Sequence, residues 1–212
     1  MVRNTDIINF LNGQVEMPRF DDFFAKKAKE HQDSLTKPQG SLGKLEDFII
    51  WMAGWQKKIK PSMNNPHCLV FAGNHGVAKY GVSAYPQIVT HQMVENFKKG
   101  GAAINQLCKL AKIKLTVKPI ELEKPTRDFT CNFAMDIDET ISIMQLGYES
   151  VLENCDLLIL GEMGISNTTS ATAISCALFN QPVESWTGFG TGLDKSGVKK
   201  KISVIKSALK FH

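Results

Sequence analysis

Leu160 to Ala171, LGEMGISNTTSA, holds two glycines, one carboxylate (Glu162) and a run of small hydroxyl and amide side chains. The apolar run before it, Leu157 to Leu160, predicts a buried strand, and Thr172 to Phe179 after it predicts a helix. A strand, a glycine turn and a helix start present unpaired backbone N–H groups at the positive end of a helix dipole. Such a turn suits a phosphate. Glu162 would repel a phosphate, so the residues point to an anion and, beside it, a group that gives up a proton.

Outward from this stretch, strands alternate with helices. Phe20 to His31 predicts a helix with Phe20, Phe23, Phe24 and Ala28 on one face. Ser41 is placed to cap a second helix carrying Leu42, Leu45, Ile49 and Met52. Cys68 to Ala72 predicts the first core strand, and a polar glycine loop, Gly73 to Ser83, follows. Pro86 suits the first turn of a helix bearing Val89, Met93, Val94 and Phe97. Gly100-Gly101 breaks it, and Ile104, Leu107 and Leu110 continue in a second piece. Leu115 to Ile120 predicts a strand, and Glu121 to Ala134 is irregular. Asp136 with Glu139 forms a capping-box pattern opening a helix through Leu152. Val183 to Trp186 predicts a short strand before a glycine loop, Thr187 to Asp194. Val198, Ile202, Ile205 and Leu209 mark the last helix. The pattern is that of an α/β fold with a mainly parallel sheet. It divides into a small helical N-terminal subdomain, residues 1–60, and an α/β substrate-binding domain, residues 61–212. Ligands in such folds sit at the carboxyl ends of strands, so the three polar glycine loops are expected to converge on one rim.

Composition narrows the classes. A chain of 212 residues with 43% apolar residues and a net charge of +4 is an ordinary globular protein. Its lysines are scattered apart from Lys199, Lys200 and Lys201, which gives no nucleic-acid stripe. No apolar run nears the ~20 residues of a membrane span, and the N-terminus lacks a secretory pattern. Five cysteines without a Cys-x-x-Cys spacing imply neither zinc nor a disulfide scaffold, and several are expected to be small buried hydrophobes. A reducing, cytoplasmic setting fits.

Several polar residues carry two readings each. Asn74 and His75 either bind a ligand or orient a partner residue, or they belong to a tight turn. Ser83, Tyr85 and Gln87 line a pocket for a flat heterocycle, with Tyr85 stacking, or Tyr85 is a packed ring before a proline. Glu162 accepts a proton or hydrogen bond from a substrate nitrogen, or it is a helix-end charge balanced by a lysine. The turn Gly164, Ile165, Ser166, Asn167, Thr168, Thr169 lacks the lysine of a Walker A loop. Gly190, Thr191 and Gly192 lie in the last glycine loop, and Lys201 on the following helix could neutralise a phosphate. His67 and His91 share no metal-ligand spacing and are expected to be structural or exposed. An unrelated phosphate-binding hydrolase lacks support, because neither a nucleophile elbow nor a metal-ligand cluster is present.

Five stretches in order, LTKPQGSLGKLED (Leu35 to Asp47), FAGNHGVAKYGVSAYPQ with QMVENFKKGGAAIN (Phe71 to Asn105), TRDFT (Thr126 to Thr130), GEMGISNTTSA (Gly161 to Ala171) and GFGTGLD (Gly188 to Asp194), resemble the nicotinate-nucleotide–dimethylbenzimidazole phosphoribosyltransferases of cobalamin lower-ligand assembly. The resemblance runs from about the second helix to the end of the chain. It implies a Rossmann-like domain with a small helical domain, a homodimer, and transfer of phosphoribose from nicotinate mononucleotide to 5,6-dimethylbenzimidazole, without metal or redox cofactor. The products would be α-ribazole 5′-phosphate and nicotinate. By the same resemblance Gly164 to Thr169 would hold the ribose phosphate, and Glu162 would face the reacting base. Ser83 and Gln87 would line the benzimidazole pocket, and Lys201 would lie near the reacting groups.

Two departures qualify what is carried over. Asn74 stands where the family pattern GDHG has Asp. Members of the family also continue beyond the position of His212, with a glycine-rich motif and the glutamate usually regarded as the base. The isolated chain is therefore expected to turn over poorly or not at all. The rival expectation is a binding-only remnant that holds nucleotide or benzimidazole without chemistry.

Overall fold

The computed structural model describes residues 4–212. At its centre lies β1 (Pro66–Ala72), hydrogen-bonded in parallel to β2 (Lys114–Pro119) on one side and to β3 (Leu157–Met163) on the other. Among the described residues the sheet has three strands, in the order β2-β1-β3. The middle place explains why Cys68, Leu69, Val70 and Ala72 are buried: a central parallel strand reads as a near-continuous apolar run, and the one buried polar side chain of β1, His67, is bonded to Thr116 on β2. β3 sits at an edge, and Leu160, expected in a buried strand, is 67% exposed. An apolar run specifies a strand but does not specify what covers it. The strand also extends to Met163, which places Glu162 on the sheet itself.

One face of the sheet packs Cys68, Val70, Leu115, Val117 and Ile159 against Cys108, Phe97 and Ile104. The last three belong to α4 (Ile88–Lys98) and α5 (Ala103–Ala111), which carry the chain from β1 to β2. The expected break between these helices is present, with Gly100 in the left-handed region at φ 77°. From β2 the chain passes through α6 (Ile137–Glu149) to the opposite edge of β1. The capping box of α6 is formed as expected: Asp136 Oδ1 accepts from the Glu139 amide at 2.8 Å and Glu139 Oε2 from the Asp136 amide at 3.0 Å. Because one connection leaves β1 to one side and the next returns on the other, a topological switch point lies between β1 and β3. The crevice outside the carboxyl ends of those strands is where such sheets hold ligands.

A second core joins α7 (Asn167–Phe179), α8 (Val183–Trp186) and α9 (Lys195–Phe211). It buries Val77, Val82, Phe129, Cys176, Val183, Ile205 and Ala208. Val183 to Trp186, expected as a strand, is this short helix α8. Pro182 sets its start with φ −61°, and the Thr187 amide and hydroxyl both close onto the Val183 carbonyl. Four residues are too few for periodicity to separate strand from helix. The third glycine loop consequently follows a helix, not a strand. Asp194 caps α9 by accepting from the Gly197 amide at 2.7 Å.

The N-terminal part holds α1 (Asn4–Leu11), α2 (Asp22–Asp33) and α3 (Lys44–Gln56). Asp21 caps α2, so Phe20 lies before the helix, and Phe23 faces solvent. Ser41 is not the cap of α3: Gly43 takes that place at φ 54°, a conformation serine adopts poorly. Leu42 and Leu45 are exposed, and Met52 and Ala53 are buried. Gln56 ties this helix to the sheet. Its Nε2 donates to the Ser62 and Asp156 carbonyls at 2.9 and 2.8 Å, and its Oε1 accepts from the Ser62 amide at 2.9 Å. No helix among the described residues is long and apolar enough to cross a membrane.

Candidate active site

The loop leaving β1 turns immediately into the molecule. Asn74 is buried, and its Nδ2 donates to the Leu122 carbonyl at 2.9 Å. The Gly76 amide donates to the Thr126 carbonyl at 2.8 Å. A Cβ on Gly76 would lie 2.5 Å from that oxygen, so only glycine allows the two loops to lie together. Beyond them Tyr80 and Lys79 both donate to Asp128 Oδ2, at 2.9 and 2.8 Å. Burial pushes the Asp128 carboxyl up, but bonds from Lys79, Thr130 and Tyr80 outweigh it and hold the group well below the usual carboxylate range. This lock fixes the loop wall from outside.

The loop leaving β3 meets the loop leaving β1 at Gly164. Any Cβ there would overlap the Gly73 carbonyl and the Asn167 side chain, so glycine is required for the close approach. Ser166 follows in the left-handed region, φ 77°, and α7 begins. The amides of this turn are only partly free. That of Ile165 donates to Thr90 Oγ1 at 3.1 Å, and those of Asn167 and Thr169 fold back onto Gly164 and Ser166. Among the described residues no protein acceptor takes the amides of Ser166 and Thr168, and these two remain for a ligand.

Side chains from all three loops then connect. Gln87 Nε2 donates to the His75 carbonyl at 3.1 Å, His75 Nε2 lies 2.6 Å from Asn167 Oδ1, and Asn167 Nδ2 donates to Glu162 Oε2. Burial pushes the His75 pKa down from 6.5, against the opposing pull of Asn167 and Glu162. On the third side Ser83 Oγ pairs with Thr191 Oγ1 at 2.7 Å, and the Ala84 amide donates to the same hydroxyl at 3.2 Å. Lys201 lies behind this wall, 1% exposed, with Nζ donating to Thr168 Oγ1 at 2.6 Å and to the Gly188 carbonyl at 3.5 Å. Burial pushes its pKa down from 10.5. Among the described residues no carboxylate pairs with it.

These groups surround a cavity of about 240 Å³ lined by Val82, Ser83, Glu162, Met163, Gly164, Ser166, Asn167, Thr168, Gly190 and Thr191. Ile165 and Thr169 are buried beneath the turn rather than lining it, and Gly192 lies outside the lining. Tyr85 is 55% exposed and also lies outside the lining. Gln87 reaches the site through His75. Asn74 is a buried turn residue, whereas its neighbour His75 points to the site. His67 is buried against Thr116, and His91 faces Glu123 on the surface. Among the described residues no group of His, Cys, Asp and Glu could hold a metal ion. Sequence reasoning missed Thr90, which caps the Ile165 amide; an apolar helix pattern hides a single inward threonine.

The sequence profile of the phosphoribosyltransferase family DBI_PRT matches residues 17–212. The chain belongs to this family. Among curated relatives, the nicotinate-nucleotide–dimethylbenzimidazole phosphoribosyltransferase of Mesorhizobium japonicum is 50% identical over 198 residues, 93% of this chain and 59% of that protein. The protein of the same name from Jannaschia sp. is 47% identical, over 99% of this chain and 62% of its own length. The crystal structure of CobT from Thermus thermophilus superposes with a TM-score of 0.78 at 34% identity, covering 89% of this chain and 62% of that one. The α/β architecture is thus that of the family, and the chain spans about 60% of the length of these relatives.

Proposed function

We propose that the chain supplies the substrate-binding rim of a nicotinate-nucleotide–dimethylbenzimidazole phosphoribosyltransferase, in cobalamin nucleotide-loop assembly. One observation carries the reading: a buried lysine without an anionic partner among the described residues stands behind a hydroxyl-rich helix start at the switch point. A buried cation is costly unless an anion approaches it, and the phosphate of nicotinate mononucleotide is such an anion. Thr168, the free amides of Ser166 and Thr168, and Lys201 would hold it. Gly190 and Thr191 would close the cavity over the ribose.

In the reaction a benzimidazole ring nitrogen attacks C1′ of the ribose from the face opposite nicotinate. The C1′–N bond breaks, its electron pair returns to the pyridine ring nitrogen, and the configuration inverts from β to α. The proton on the other benzimidazole nitrogen must then leave. Glu162, at the cavity, would accept a hydrogen bond from that N–H. The rest of the catalytic effect is positioning of two bound rings, and no step needs a metal or redox group.

A binding module without turnover is the second reading. It is favoured by the one carboxylate of the cavity lining, Glu162, already receiving the Asn167 amide. Incubation with both substrates and chromatography for α-ribazole 5′-phosphate, beside calorimetry with each substrate alone, separates the two. We expect both substrates to bind; product would support the first reading, binding without product the second, and failure to bind nicotinate mononucleotide would remove the substrate assignment. The division near residue 60 and a homodimer belong to the same proposal. Leu45, Phe48, Trp51 and Trp55 give α3 an exposed apolar face suited to a second copy, to be checked by sedimentation equilibrium. Five cysteines, all unpaired, suit the cytoplasm.

A further inference from the structure

We propose that His75 is a positioning residue for Glu162, acting through the side-chain amide of Asn167. Only the ligand in the second half of the test rests on the substrate reading above.

Hydrogen-bond logic assigns each atom. An ionised carboxylate only accepts, so the Asn167 atom facing Glu162 is Nδ2. The amide oxygen is thereby turned to His75, 2.6 Å from Nε2. That oxygen also only accepts, so Nε2 carries a proton. Burial keeps the ring neutral near pH 7, and a neutral ring has one N–H. His75 is therefore the Nε2–H tautomer, dictated by a carboxylate two side chains away.

The chain is anchored at its far end. The His75 carbonyl accepts from Gln87, and the next amide, that of Gly76, donates to Thr126. The imidazole thus cannot drift, the amide cannot flip, and Glu162 Oε2 stays bound. Oε1 takes no protein donor among the described residues, and Glu162 lines the cavity, so Oε1 is the oxygen left to accept a ring N–H. Without His75 the amide would rotate freely and Glu162 would sample orientations that do not present Oε1. A histidine that merely filled space would be indifferent to the charge of Glu162.

Long-range 1H–15N NMR of the labelled full chain at pH 7 tests the first half. The expected result is the Nε2–H pattern for His75. In Glu162→Gln the new amide can donate as well as accept, the lock on Asn167 is lifted, and the His75 resonances should move toward a mixture of tautomers. An Nδ1–H pattern in the unmodified chain, or His75 resonances unmoved in Glu162→Gln, would overturn the proposal. Calorimetry with 5,6-dimethylbenzimidazole tests the second half. His75→Phe should bind about tenfold more weakly, the scale of one charged hydrogen bond. His75→Gln, whose Nε2 reaches nearly the same place, should recover most of the loss, with unfolding midpoints recorded for both. Equal affinity in His75→Phe and the unmodified chain would also overturn it. If the NMR pattern holds and the unmodified chain binds no benzimidazole, the relay stands and the substrate assignment fails.

Discussion

Ser166 holds a backbone conformation that glycine adopts more readily, φ 77°, and its buried hydroxyl has no hydrogen-bond partner among the described residues. Both features cost stability, against a smaller entropic penalty for glycine. Ser166→Gly should therefore raise the unfolding free energy by about 1 kcal/mol in urea titration. Lys201 gives the opposite lesson. Lys201→Met keeps the length and removes a buried, unpaired charge, so stability should be unchanged or higher. Affinity for nicotinate mononucleotide should fall about tenfold or more, measured by calorimetry. At this scale Glu162, Gly164, Thr168 and Lys201 are legible in the sequence because glycine turns and isolated charges stand out against apolar surroundings. Asn74 and His75 are not separable there. Which of two polar neighbours turns inward depends on the Leu122 carbonyl, nearly fifty positions away in the chain. Tyr85 is legible as a ring but not as an exposed one, since its surroundings are set by other loops.

Among the elements, α6 reads directly from Asp136 and Glu139, because a capping box is local chemistry. Asp136→Ala should lower stability by about 1 kcal/mol in equilibrium denaturation. The backbone amide of Asp136, chiefly, with Lys124 and Arg127, holds the Glu139 carboxyl down at about 2. β1 is equally legible, since a central parallel strand is apolar on both faces. β3 is legible as a strand but not as an edge, and α8 carries a pattern that a strand would share. Each difference concerns something outside the segment: the neighbour covering a strand, or the Pro182 that starts a single helical turn. The switch point itself is legible only once the strand order is known, because the sequence does not say on which side of β1 each crossover lands.

For the molecule as a whole, a buried histidine, His67, and a half-buried one, His75, set the behaviour in weak acid. Burial lowers the pKa of both His67 and His75 below 6.5. Below that pH the unfolded chain takes up protons that the folded chain refuses, so stability is present above 6.5 and declines as pH falls. The shifted carboxyls, Glu46, Glu139 and Asp156 among them, lose their contribution only at lower pH. Urea midpoints should thus fall from pH 7.5 to 5.5, and His67→Asn should flatten part of that slope; a level profile would contradict it. The Gln56 staple has a separate consequence. It grips the amino-terminal roots of β1 and β3, and the strand rise puts about 20 Å between those roots and the cavity rim. Fluorophores, affinity handles or immobilisation chemistry attached at the exposed Lys57 or Lys58, just past Gln56, would accordingly sit at the root end of the strands and away from the ligand, which makes that end the natural place to tether the protein while its affinity is recorded.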